Sequence, residues 1–577
     1  MSKALRSILA IFFQHKGKVA FGSVCLLAVD AAQLAIPLVV REVVDGLVAG
    51  AVTRLWITHQ ALILLGLALV IATFRFAWRH FFFSTARLAE LDLRGRILDH
   101  ALTLKARYFT QARTGEFMAL ATNDVESVRQ AVAMGFVAGF DASIYALVAI
   151  AAMFWLDSRL ALATILPLPV LATLMAVALR AIYNRWDAVQ AAFEDLTEKT
   201  RESVAGMRVL RAYTCEDVDV ADFERRNQDY FRKYMRYVGI DAFFHPAILL
   251  VAGTCVAILL GVGGARVIEG RTSVGAFAAF ASYLGMLTWP MVAAGWMASL
   301  VQRAAASMDR INALLDVKDV EAVGGPERPP DKVSGEVEAR SLTFTYPQQT
   351  RPALRGLSFR LLPGESLGVV GEIGSGKSTI AQLASRLYDP PRGTLFVDGR
   401  DVLDIPLSGL RRVIAYVPQE AFLFSDTIAA NLRLGKPKAT LQDIKQACRQ
   451  AALDREIEAF PKGYNTLLGE RGITLSGGQK QRLCLARALL KEAPVLVLDD
   501  TLSAVDAETE QEILSALKGL AGTRTLIIVS HRVSAVKDLD TIICLRHGEV
   551  IQAGRHEVLS HTPGFYRDMV AFQEMAA

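Results

Sequence analysis

Residues Gly371-Glu372-Ile373-Gly374-Ser375-Gly376-Lys377-Ser378-Thr379 carry the sharpest chemical signal in the chain. A glycine, four residues, then Gly-Lys-Ser is the pattern of a phosphate-binding loop. The glycines let backbone N–H groups curl around phosphate oxygens, and the N-terminus of the helix that follows adds positive partial charge. Lys377 reaches toward the outer phosphates, and the Ser378 hydroxyl can ligate Mg²⁺. The bland alternative is a Gly-rich turn that matches by accident. The context opposes it: Leu367–Val370 reads as a buried strand before the loop and Ile380–Leu387 as a helix after it. A second buried strand, Val495–Leu498, runs into Asp499-Asp500. A carboxylate at a strand end beside a phosphate loop holds Mg²⁺, often through water, and Asp499 takes that role. The next position normally supplies a Glu that polarises an attacking water. Here it is Asp500, one methylene shorter.

The elements that must position these groups occupy only the second half of the chain. With 577 residues, 52% of them hydrophobic, at least two domains and membrane spans are expected. The formal charge of +5 suits cytoplasmic loops beside anionic lipid better than a nucleic-acid binder. The six cysteines are scattered without paired spacing, so neither a disulfide framework nor a zinc site is implied. Composition changes near residue 320, where Gly324–Pro330 forms a polar, Pro-rich linker. The expected division is a cytoplasmic segment 1–17, a helical membrane domain 18–312, a linker 313–335 and an α/β domain 336–577. Spans are placed at roughly 18–40, 60–83, 132–156, 160–182, 243–268 and 274–300, each near the ~20 residues a bilayer needs. Lys3, Arg6, Lys16 and Lys18 put the N-terminus, and with six spans also the C-terminus, in the cytoplasm. Long polar segments near 84–131 and 183–242 then fall inside. Asp30, Gln33, Arg75, Arg79 and Asp141 sit within the spans, as part of a substrate cavity or as interhelical glue. Pro167, Pro169 and Pro290 are candidate kinks.

Leu475-Ser476-Gly477-Gly478-Gln479 is the most specific sequence present, and with it the chain resembles an ATP-binding-cassette transporter of the exporter half-transporter kind. The resemblance implies ATP and Mg²⁺ as ligands. It also implies that this signature contacts the γ-phosphate of ATP held by the opposite subunit. Phe344-Thr345-Tyr346 resembles the aromatic loop, Tyr346 stacking on adenine. Gln419 resembles the residue that links Mg²⁺ to the membrane-domain contact, and Gly469–Gly472 the segment preceding the signature. Ser503–Asp506 resembles the loop that crosses to the other subunit. His531, after Ile527–Ser530, is similar to the switch histidine that senses γ-phosphate. Tyr108–Asp124 and Gly206–Tyr213 look like the two coupling segments of exporters, and Glu269–Gly275 is similar to the exporter sequence entering the last span.

The reading that follows is an ATP-driven exporter of a small amphipathic or hydrophobic molecule, drug or lipid, in the cytoplasmic (inner) membrane. One six-span domain and one cassette do not complete an ATP site, so a second half-transporter is expected. Asp500 and an intact signature suggest an unequal heterodimer, with a slow site on this chain and a Glu-bearing partner. A backbone shift that lets Asp500 serve would instead give an active homodimer. A regulatory ATP-binding membrane protein and a soluble cassette ATPase acting on DNA or translation are the competing classes. The substrate is not readable.

Overall fold

The computed structural model describes residues 3–50, 52–111, 114–321, 333–347, 349–469, 475–520 and 522–576. The linker Gly324–Pro330, and Glu470–Gly472 of the segment preceding the signature, lie outside them. By contacts the chain forms two compact units. One is Met1–His100 with Thr114–Asp316; the other is Ala101–Arg113 with Val317–Ala577.

The first unit is helical. Its main helices are α1 (Lys3–Gln14), α2 (Lys16–Val48), α3 (Arg54–Thr103), α4 (Phe136–Leu156), α5 (Ser158–Ile165), α6 (Pro167–Ala205), α7 (Glu216–Ile258), α8 (Val274–Met286) and α9 (Thr288–Leu315). The second expected span belongs to a much longer helix. α3 has 50 residues, about 75 Å, so the polar stretch after residue 83 continues it without a break. α6 and α7 likewise carry residues 183–242 as an antiparallel helical pair, joined by the short helix Met207–Ala212. Among the described residues, four helical runs are long and apolar enough to cross a bilayer: Lys16–Val48, Arg54–Thr103, Gly115–Leu156 and Leu249–Ile268. The expected fourth span is interrupted at Leu166, ahead of Pro167 and Pro169. The expected sixth is interrupted at Leu287, ahead of Pro290. A proline lacks the N–H and clashes with the preceding turn, so helices restart around it.

Short polar devices lock the helix ends. Asp157 caps α5 by accepting from the N–H groups of Arg159 and Leu160, and also accepts from Arg266 and Thr272. Asp45 of α2 accepts from Ser273 Oγ at 2.8 Å and from the Gly275 N–H at 2.7 Å, holding the start of α8. The helices meet so closely there that a Cβ on Gly275 would lie 2.2 Å from the Arg41 carbonyl oxygen.

The second unit is α/β. Its strands are β1 (Val337–Phe344), β2 (Leu354–Leu361), β3 (Ser366–Gly371), β4 (Leu395–Val397), β5 (Arg400–Asp401), β6 (Ile414–Val417), β7 (Val495–Asp499), β8 (Thr525–Val529), β9 (Thr541–Arg546) and β10 (Glu549–Gly554). The described residues form a four-stranded antiparallel sheet, β2-β1-β4-β5, and a six-stranded sheet, β10-β9-β3-β8-β7-β6. In the latter, β9, β3, β8, β7 and β6 pair in parallel. β3, β7 and β8 are buried along their whole length, the continuous apolar runs that a sheet covered on both faces requires. Alternation then assigns the faces. Leu367, Val369, Val497 and Ile527 enter one core; Val370, Leu496, Leu498 and Ile528 enter the other. Three further helices matter for the site: α10 (Lys377–Ala384), α11 (Gly477–Leu490) and α12 (Phe565–Ala576). The segment Ala101–Arg113 is tied into this unit by charge, Lys105 Nζ lying 2.7 Å from Asp389 and Arg107 pairing with Asp319.

Candidate functional site

Three neighbouring parallel strands, β3, β8 and β7, deliver the chemical residues at their C-terminal ends, where an open α/β sheet places its ligands. The loop after β3 turns tightly through Gly374 and Gly376, at φ +79° and +97°, and opens α10 with Gly376 at the cap. No other residue fits at Gly376: its φ is left-handed, and a Cβ would stand 2.3 Å from the Ala353 carbonyl oxygen. Lys377 Nζ folds over the loop and donates to the carbonyl oxygens of Gly371 (2.8 Å) and Glu372 (2.7 Å). Burial pushes its ammonium below the usual lysine range. Among the described residues the buried Ser375 hydroxyl has no hydrogen-bond partner, which suits it to a phosphate oxygen. Ile373 stands fully exposed at the tip, and Glu372 pairs with Arg546.

Ser378 and Asp499 meet. The serine hydroxyl donates to Asp499 Oδ1 at 2.8 Å, and Tyr416 from β6 reaches Oδ2 at 3.3 Å. Asp499 is 1% exposed, and burial pushes its carboxyl above the usual range. Such a cluster of hard oxygen donors suits Mg²⁺. Asp500 adopts a left-handed φ of +47°, and its N–H is held by the Val529 carbonyl at 2.8 Å. Its carboxylate lies 2.8 Å from His531 Nδ1. Asp500 and His531 therefore form one unit at the ends of β7 and β8. Gln419 sits after β6 in an exposed bend. Thr379 is buried at the start of α10, and the Tyr346 hydroxyl bonds to it (2.9 Å) and to Gln382 (2.9 Å). The Tyr346 ring packs edge-on against Phe344 and Tyr388. A cavity of about 750 Å³ is lined by Tyr346, Arg351, Lys377, Ser378, Thr379 and His547, among others.

The signature belongs to a different neighbourhood. Leu475 is buried. Ser476 caps α11 by accepting from the Gln479 N–H at 3.2 Å, and Gln479 Oε1 accepts from the Ser476 N–H at 2.9 Å. A Cβ on Gly478 would meet the Ala504 carbonyl oxygen at 2.7 Å, and Gly477 lies close to Ala504 as well. Gln481 completes the link, donating to Ser503 Oγ and accepting from the Ala504 N–H, both at 3.1 Å. Among the described residues no hydrogen bond joins this group to the phosphate loop.

Several positions at the site carry no sequence signal of their own. The turn His547-Gly548 backs the loop, its Gly548 N–H donating to the Ser375 carbonyl at 3.1 Å. Gln573 of α12 brackets the switch residue, donating to the His531 carbonyl and accepting from the Val533 N–H, both at 2.8 Å. Arg532 ties the same turn to the Ser503 carbonyl (2.9 Å) and to buried Glu510.

Known proteins are similar to this chain over most of its length. The chain is 37% identical to the "Multidrug resistance-like ATP-binding protein MdlA" of Escherichia coli (strain K12), over 99% of its own length and 96% of that protein's. The chain belongs to the ABC transporter family. The family profile described as the ABC transporter transmembrane region matches residues 19–291, and the one described as ABC transporter matches residues 354–503. An "ATP-dependent lipid A-core flippase" of Aromatoleum aromaticum is 34% identical, over 84% of this chain and 80% of that protein. Among solved structures, a bacterial Atm1-family ABC exporter with ATP bound superposes with a TM-score of 0.78 at 27% identity, covering 97% of this chain and 98% of that one. The chain is thus an ABC membrane protein whose cassette hydrolyses ATP in support of transport.

Proposed function

We propose that the chain is one half of a heterodimeric exporter that moves a small amphipathic or hydrophobic molecule, drug or lipid, across the cytoplasmic membrane. Six spans with both termini in the cytoplasm complete the reading. The relatives support export in general terms, being named for multidrug resistance and for lipid A-core flipping. Asp500 carries the heterodimer. It occupies the position of the water-polarising carboxylate, and its side chain is engaged by His531 at 2.8 Å. A Glu would extend about 1.5 Å further, one carbon–carbon bond, and general-base catalysis needs contact of roughly 3 Å. Such a shortfall costs orders of magnitude in rate.

In this scheme Lys377 and the loop amides grip the phosphates of ATP, and Tyr346 lies under the base. Mg²⁺, held by Ser378, Asp499 and Gln419, would neutralise charge on the departing phosphate. The signature Leu475–Gln479 completes the partner's site, where a Glu polarises water. Closing of the two cassettes moves the coupling segments and with them the spans; hydrolysis in the partner's site resets them. Closing requires tighter ATP binding in the closed state than in the open one.

Purification of the tagged full-length chain from its native membrane tests this. A second cassette protein bearing Glu after its Walker aspartate is the expected companion. A preparation containing only this chain, with full substrate-stimulated ATPase activity, contradicts it.

A further inference from the structure

The turn that carries His531 has no regular structure of its own. Ser530 to Val533 follows β8 and belongs to neither a helix nor a strand. Its backbone polar groups need partners from elsewhere, and Val533 is buried, where a lost partner is costly. One side chain serves two of these groups. The Gln573 carboxamide donates to the His531 carbonyl and accepts from the Val533 N–H, both at 2.8 Å. It thereby spans Arg532, whose own side chain leads away to Glu510 and to the Ser503 carbonyl.

The place of Gln573 on α12 argues for a purpose. Phe565, Tyr566, Met569 and Val570 form one stripe of that helix and pack on a core of the cassette. Tyr566 is fully buried, and its hydroxyl lies 2.8 Å from His556 Nδ1. Gln573 continues the same stripe one turn further on, while Phe572 and Met575 are exposed. An apolar residue would extend the packing there. A glutamine on that face is costly unless its amide is matched, and both ends of this amide are.

The consequence falls on the imidazole. His531 Nδ1 lies 2.8 Å from Asp500, so Nε2 is the ring atom left for a phosphate. Hydrogen bonds to a phosphate are strong when aligned and weaken steeply when they are not. The ring is aligned only if the backbone beneath it is held.

We infer that Gln573 is a positioning residue: it fixes the turn from which His531 meets the γ-phosphate, and so sets the preference of this chain's site for ATP over ADP. The inference rests on the reading of His531 as the γ-phosphate sensor, and it holds for either kind of dimer.

The test is nucleotide selection by the full-length chain, purified with whatever half-transporter accompanies it. Photoreactive 8-azido-ATP labels the base site, and only the tagged band of this chain is read. Competition by ADP and by the β,γ-imido analogue of ATP gives two affinities and their ratio. His531→Ala should lower the preference for the ATP analogue about tenfold, the worth of one charged hydrogen bond. Gln573→Met keeps the bulk and removes both bonds; it should lower the preference about three- to about tenfold, with ADP affinity unchanged. Gln573→Glu, which loses the donor to His531, should do the same. Phe572→Ala, on the exposed side of the helix, should keep the preference. A preference kept in both Gln573 variants and lost in His531→Ala overturns the inference and leaves the sensor reading standing. A preference kept in all three overturns both. Equal loss of ADP and analogue binding in both Gln573 variants, unfolding included, shows a merely structural role for Gln573 and also overturns the inference.

Discussion

One methylene distinguishes Asp500 from the Glu of a fast hydrolytic site, and the structure gives that methylene a setting. The carboxylate is short, the backbone is left-handed at φ +47°, and His531 Nδ1 sits 2.8 Å away. Lys377, by contrast, donates to two carbonyl oxygens of its own loop. Lys377→Ala removes a partly desolvated point charge, so ATP affinity should fall by about tenfold or more, measured as nucleotide binding to the full-length chain. Unchanged affinity would remove the phosphate loop from the site. The loop residues and Ser378 were legible because they are contiguous and their chemistry constrains their type. Asp499 was legible because it ends an apolar run. Tyr416, His547 and Gln573 were not, since each reaches the site from a distant segment and each is an ordinary residue for its strand, turn or helix.

The strands and the signature helix show why element boundaries were only partly readable. Leu367–Val370, Val495–Leu498 and Ile527–Val529 are short apolar runs, and burial on both faces makes such runs strands of a parallel sheet. The membrane unit was harder. Apolar stretches mark where bilayer contact begins, yet α3 continues about 30 Å past its apolar part because nothing in residues 84–103 breaks a helix. The breaks at Leu166, next to Pro167, and at Leu287, three residues ahead of Pro290, depend on which turn gives way. α11 is held to the following loop by a glycine contact: Gly478 against the Ala504 carbonyl. Gly478→Ala should therefore cost about 1–3 kcal/mol through displacement of Ala504, seen as a lower thermal midpoint of the purified chain. An unchanged midpoint would show that the loop yields freely.

At the scale of the whole molecule, topology and partnership are the open claims. With both termini cytoplasmic, a cysteine at Ser158 should react with an impermeant thiol reagent added outside intact cells, and one at Thr114 should not. The reverse pattern would invert the orientation. The proposed partnership rests on an intact signature in a chain whose carboxylate at position 500 is shortened. Each ATP would lie between one chain's phosphate loop and the other's signature, so the two sites of a heterodimer are damaged by different substitutions in this chain. ATPase activity of the purified complex, carrying either Ser476→Ala or Asp500→Asn in this chain, separates them. The account predicts that Ser476→Ala abolishes most of the activity while Asp500→Asn changes it only modestly. Loss of activity in Asp500→Asn, in a dimer made of this chain alone, would contradict it.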